Sequence, residues 1–200
     1  MPARVSAVVA VLVGAVLLSV GTLVLAIRLT AQPAPTGSTA PAAVTDGYAF
    51  WDMREDGSPV RWDQCAAIPW VLRVDGAPPG ARSLLEEATA RITEAGGPRF
   101  TYMGPSDEEP ALSRAAFQPD RHGQDSWAPV LVAWAPPHAG GLPLRDSDRA
   151  VSLPIAVDGV FVSGQVVFND RRDLQMDFED RATSWGATAI HEFVHVTGLD

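Results

Sequence analysis

From Val5 to Ile27 the chain runs for twenty-three residues without a charge, between Arg4 and Arg28. Such a run exceeds the roughly 20 apolar residues that a helix needs to cross a bilayer. A cleavable signal peptide has an apolar region of only about 7–15 residues, followed by a small-residue cleavage site. Ala31-Gln32-Pro33 makes a poor one. The expectation is an uncleaved transmembrane signal-anchor over 5–27, with residues 1–4 cytoplasmic. The protein is then single-pass in the cell membrane with the rest of the chain extracytoplasmic, or secreted if the segment is cleaved. Charges flanking the span are nearly balanced, so orientation rests on the exported character of the residues C-terminal to it.

Residues 28–45 form a Pro/Ala/Thr-rich linker with no large apolar side chain between Gln32 and Ala43. Such a stretch cannot bury a core and is expected to behave as an extended tether. The folded part is expected over 46–200, about 155 residues, which suffices for a real core. A net charge of −9 argues against nucleic-acid binding, which calls for a basic face. Cys65 is the only cysteine, so neither a disulfide framework nor a cysteine-rich zinc finger can form within the chain. A latency role, with its thiolate on a metal, is chemically open, but a structural role is the simpler expectation.

Within the folded part, 68–74 reads as a strand with Pro69 near its start, where a missing donor is tolerated. Leu84, Ala88, Ile92 and Ala95 recur at helical spacing over 81–95, and Gly96-Gly97-Pro98 ends that helix. A short aromatic strand is expected at 99–103, a long surface loop over 104–128, and a central strand in the apolar run 129–134. Residues 135–149 read as loop, and 157–169 as a hairpin turning at Ser163-Gly164. A final helix is expected over 180–199, with Asp177 and Asp180 as candidate caps and Trp185 against the sheet. The predicted fold class is α/β, with two helices on a twisted mixed sheet.

That last segment carries the chemistry. His191 and His195 are four apart, so on a helix they share one face and both imidazoles can bind one metal ion. Glu192 sits beside the first, placed to reach water without ligating the metal itself. This H-E-x-x-H spacing is that of zinc-assisted peptide hydrolysis. Gly198 lets the helix stop and the chain turn back, so that a third ligand can arrive from position 201, one past Asp200. The bland reading is two polar residues on an exposed helix face. It is weakened because only four histidines occur in the chain and two fall here. The other two, His122 and His138, are expected as solvated loop residues. A structural zinc would need partners such as Asp125 for His122, or Asp146 or Asp148 for His138.

The run from His191 to Asp200 resembles the opening of the metzincin signature H-E-x-x-H-x-x-G-x-x-H/D, and is most similar to the bacterial matrixin-like metalloproteases. The resemblance implies a metzincin-like N-terminal subdomain over roughly 60–200. It also implies His191 and His195 as Zn²⁺ ligands, and Glu192 as the general base toward the attacking water. The catalytic domain 46–200 is then expected to be C-terminally incomplete, lacking the third ligand and the methionine turn. The implied partner is a peptide or protein substrate, lying antiparallel along a sheet edge that we expect in the half-hairpin 159–165. Two alternatives stay open: a thermolysin-type zinc enzyme, against which Gly198 speaks, and a surface-binding module that is catalytically incomplete.

Overall fold

The computed structural model describes residues 44–45 and 48–200. The expected cytoplasmic segment 1–4, the transmembrane signal-anchor 5–27 and the linker up to residue 43 lie outside the described residues. Among the described residues no helix is long and apolar enough to cross a membrane. All described elements belong to the unit Ala40–Asp200, the second of two into which the chain divides. Strands β1 (Val44–Thr45) and β2 (Tyr48–Ala49) pair antiparallel, so the last two positions of the expected linker lie in a strand.

The main sheet has five strands: β3 (Ile68–Arg73), β4 (Phe100–Ser106), β5 (Val130–Ala135), β6 (Ala150–Val157) and β7 (Val160–Asn169). Their order is β4-β3-β5-β7-β6, parallel throughout except for β6, which runs antiparallel to β7 along one edge. This is the mixed α/β sheet that the sequence predicts, with the 129–134 run at its centre. Helix α1 (Ala81–Glu94) comes after β3, α2 (Pro119–His122) is a single turn, and α3 (Trp185–Val196) ends the fold.

Strand alternation decides what each face meets. Ile68, Trp70 and Leu72 of β3, Val130, Val132 and Trp134 of β5, and Val166 and Phe168 of β7 point to one side. There they form a single core with Leu84, Leu85, Ala88 and Ile92 of α1 and Trp185, Ala189, Phe193 and Val196 of α3. Trp134 stacks on Phe168, and Trp185 meets both edge-on, as expected for its place on the last helix. The opposite face is covered by loops. Ala135, Leu142, Leu144 and Val167 form a smaller cluster there, and Gln165, 1 % exposed, exchanges two hydrogen bonds with the backbone of Ala111.

The long 104–128 segment is pinned rather than loose. Its Arg114 is buried, and all five guanidinium N–H groups find acceptors: both oxygens of Glu108, Ser163 Oγ, and the carbonyls of Gly164 and Pro129. Gln118 donates a further bond to Glu108.

The hairpin differs from expectation. Residues 150–156, which lie between the expected loop 135–149 and the expected hairpin 157–169, form the edge strand β6 together with Val157. The reversal falls at Asp158-Gly159, where φ is 50° and 74°. Two consecutive positive φ values make the tight turn that suits a right-twisted hairpin, and Asp-Gly is a favoured pair for it. Ser163 and Gly164 lie within β7, paired with Ile155 and Pro154. The 159–165 half is therefore interior, between β5 and β6, and the free edge on that side of the sheet belongs to β6.

Candidate metal centre

Helix α3 starts at Trp185 because Ser184, in extended conformation, accepts from Ala187 N at 3.1 Å. Asp177 and Asp180 do not cap it; their carboxylates accept from Glu179 N and Ala182 N in the turns before it. Trp185, Ala189, Phe193 and Val196 form the buried stripe. His191 is turned outward and exposed, while His195 is half-buried.

The two imidazoles meet edge to face, with Nε2 of His191 and Nε2 of His195 3.0 Å apart. Nδ1 of His195 lies 2.8 Å from the carbonyl oxygen of Leu199. A carbonyl only accepts, so Nδ1 carries a proton, and the tautomer this bond selects is the one whose lone pair is on Nε2. A backbone carbonyl on the far ring nitrogen is the usual way a ligating histidine is oriented. Two nitrogens about 2.0–2.1 Å from a tetrahedral zinc stand about 3.3 Å apart, close to the observed spacing. The pair fits two of the four positions around Zn²⁺. Among the described residues no three His, Cys, Asp or Glu side chains gather as a metal-holding group.

Glu192 is 6 % exposed and faces β6. On that strand Ala150 and Ser152 point toward the helices, and Ser152 Oγ reaches Glu192 Oε2 at 2.7 Å and the Glu192 carbonyl at 2.8 Å. Burial raises the carboxyl pKa above its ordinary value; the Ser152 hydrogen bond and the two histidines pull it partly back. A hydroxyl has one proton to share between these contacts. Once protonated, Glu192 can donate to Ser152 Oγ while Ser152 donates to the carbonyl.

Gly198 has φ of 99°, and a Cβ there would stand 2.6 Å from Phe161 Cε2. Only glycine permits both the left-handed turn and the close approach. The turn is held by the segment before β3. Trp62 Nε1 donates to Val196 O at 2.7 Å, Trp51 N to Gly198 O at 2.9 Å, and Asp200 N to Ala49 O at 3.1 Å. The Trp51 ring lies 5.9 Å from the His195 ring. Ser152, Trp51 and Trp62 are missing from the residues that the sequence singles out. Ser152 becomes visible once β6 is assigned, by its parity with Ala150.

A cleft of about 870 Å³ opens beside His191 and Glu192, bounded by Ser147 to Ala150, Phe178 and Arg181. The remaining candidates lie elsewhere. His122 is half-buried with Nε2 unbonded, and burial lowers its pKa. His138 is exposed at φ 64°. The partner sets considered for them are not gathered. Cys65 is exposed, in a turn where its N–H donates to the Asp63 carboxylate. No family model and no curated protein matches the chain.

Proposed function

We propose that the domain is a zinc-dependent endopeptidase of metzincin-like, matrixin-like architecture, anchored by the 5–27 segment with its catalytic part extracytoplasmic. One observation carries the reading: a buried glutamate beside two histidines whose Nε2 atoms face each other at 3.0 Å. His191 and His195 would hold the ion. Zn²⁺ held there supplies Lewis acidity toward a substrate carbonyl and a water molecule.

The chain's own groups do the rest. Glu192 takes the proton from the attacking water and returns it to the leaving amine, a role suited to a carboxyl whose pKa burial raises above its ordinary value. Ser152 holds that carboxyl in place. The peptide adds as a further strand on the open edge of β6, antiparallel to it, which brings the scissile bond past Ser152 and Glu192. The leaving half of the peptide then runs toward Ala150.

The test is zinc content and chelator-sensitive hydrolysis of a quenched peptide library by the full chain. Glu192→Ala should keep its zinc and lose turnover by about 10²–10⁴-fold, the usual range for a general base; full activity in that variant would refute the mechanism. His191→Ala and His195→Ala should each lose the ion. A second reading is favoured by the finding of only two gathered donors among the described residues: a surface-binding module on the same fold. It predicts peptide binding that ignores chelators and no turnover.

A further inference from the structure

The cleft beside the histidine pair carries a charge imbalance unlike that of the chain as a whole. Net charge is −9, yet three arginines, Arg91, Arg149 and Arg181, line the cleft against two carboxylates, Asp148 and Glu192. Arg91 is already committed: it pairs with Glu87 at 2.6 Å and lies over the Phe178 ring at 3.9 Å. Asp148 is committed as well, accepting from Arg145 N at 3.0 Å with the Arg145 guanidinium 3.4 Å away.

Arg149 and Arg181 remain. Both are exposed, and among the described residues neither forms an ion pair. They are tied to each other instead, Arg149 Nη1 donating to the main-chain carbonyl of Arg181 at 2.9 Å. That bond fixes one guanidinium over a cleft with apolar walls from Phe178, Ala187, Ile190 and Val194. Two guanidinium groups without an ion-pair partner, against the single remaining carboxylate of Glu192, leave a net positive charge over an apolar floor that attracts a planar anion.

We propose that this cleft selects peptide substrates bearing a carboxylate side chain just C-terminal to the scissile bond. The position rests on the endopeptidase reading. A peptide antiparallel to β6 carries its leaving half toward Ala150, and the segment Ser147 to Ala150 forms the cleft wall there. The charge preference itself depends only on Arg149 and Arg181.

The test is fluorescence anisotropy with the full chain and pairs of fluorescein-labelled, alanine-rich peptides of about ten residues, one member carrying Glu where the other carries Gln. At low salt the Glu peptide should bind about tenfold more tightly, and the difference should shrink as ionic strength rises. Arg181→Glu should abolish or invert the preference. Its fold is protected, because Arg181 contributes only its main-chain carbonyl to the contact with Arg149. Equal binding of both members, or binding of neither, overturns the proposal. Zinc content and hydrolysis measured on the same samples separate the two readings. Zinc uptake and cleavage without charge preference defeat only the substrate class; charge preference without zinc or cleavage defeats only the protease.

Discussion

Ser152 Oγ on the edge strand stands 2.7 Å from Glu192 Oε2 on the last helix, so the open sheet edge and the candidate base are joined by one hydrogen bond. Ser152→Ala removes the interaction that holds the Glu192 pKa down, while the burial that raises it remains. The acid limb of the pH–activity profile should move to higher pH, and stability at neutral pH should fall by about 1–3 kcal/mol, the cost of an unsatisfied buried acceptor. Activity against pH, with chemical denaturation at pH 7, checks both.

Glu192 also makes a pH-dependent contribution to stability. Its native pKa lies above the ordinary value of 4.5, so the native state binds this proton more tightly than the unfolded chain does. The resulting stabilisation is fully present below pH 4.5 and is lost as pH rises through the raised native value. Glu192→Gln cannot ionise and escapes that loss. The variant should be no more stable than wild type in acid and increasingly more stable toward neutrality. Denaturation of chelator-treated protein across pH measures the difference, and a gap that narrows with rising pH would contradict it.

The elements legible in the sequence are those with strong periodic signals. The apolar run in β5 has no polar residue to expose, and its six residues are all buried at the sheet centre. The repeat Leu84, Ala88, Ile92 is the buried stripe of α1. The edge strand β6 is hidden in the sequence because Pro154 interrupts it and its residues are mostly only half-buried; an edge tolerates both. The hairpin turns at Asp158-Gly159 instead of Ser163-Gly164 because both pairs suit a turn, and only the partner strand's register chooses between them. His191, Glu192 and His195 need only helical spacing to be seen. Ser152, Trp51 and Trp62 come from distant positions that tertiary packing alone brings to the helix.

Gly198→Ala should destabilise the end of α3. The residue must hold φ of 99° with a methyl group pressed against Phe161 and 3.3 Å from the Val60 carbonyl. Forcing a left-handed conformation on alanine costs about 1–2 kcal/mol, and the clash adds to it. The Leu199 carbonyl that orients His195 moves with the turn, so zinc affinity should fall alongside thermal stability. Calorimetry and chelator competition read the two effects, and a variant with unchanged values in both would show that the turn is dispensable.

Arg114 tests whether the long connection between β4 and β5 is part of the scaffold. Its guanidinium is 1 % exposed and held to Glu108 through Nε at 2.8 Å and Nη2 at 3.0 Å, with three further bonds into β7 and the start of β5. Taking two such charges out of water is costly, and only their mutual contact offsets it. Arg114→Leu strands the Glu108 carboxylate with the Gln118 amide and the loop's own groups, and should cost about 3–5 kcal/mol. Replacing both, Arg114→Leu with Glu108→Leu, removes the stranded charge and should recover much of that loss, although the Gly164 and Pro129 carbonyls stay without their donor. Denaturation midpoints of the two single variants and the double give the coupling directly. Additive losses would mean that the pair does not act as a unit and that the loop is held by its apolar contacts instead.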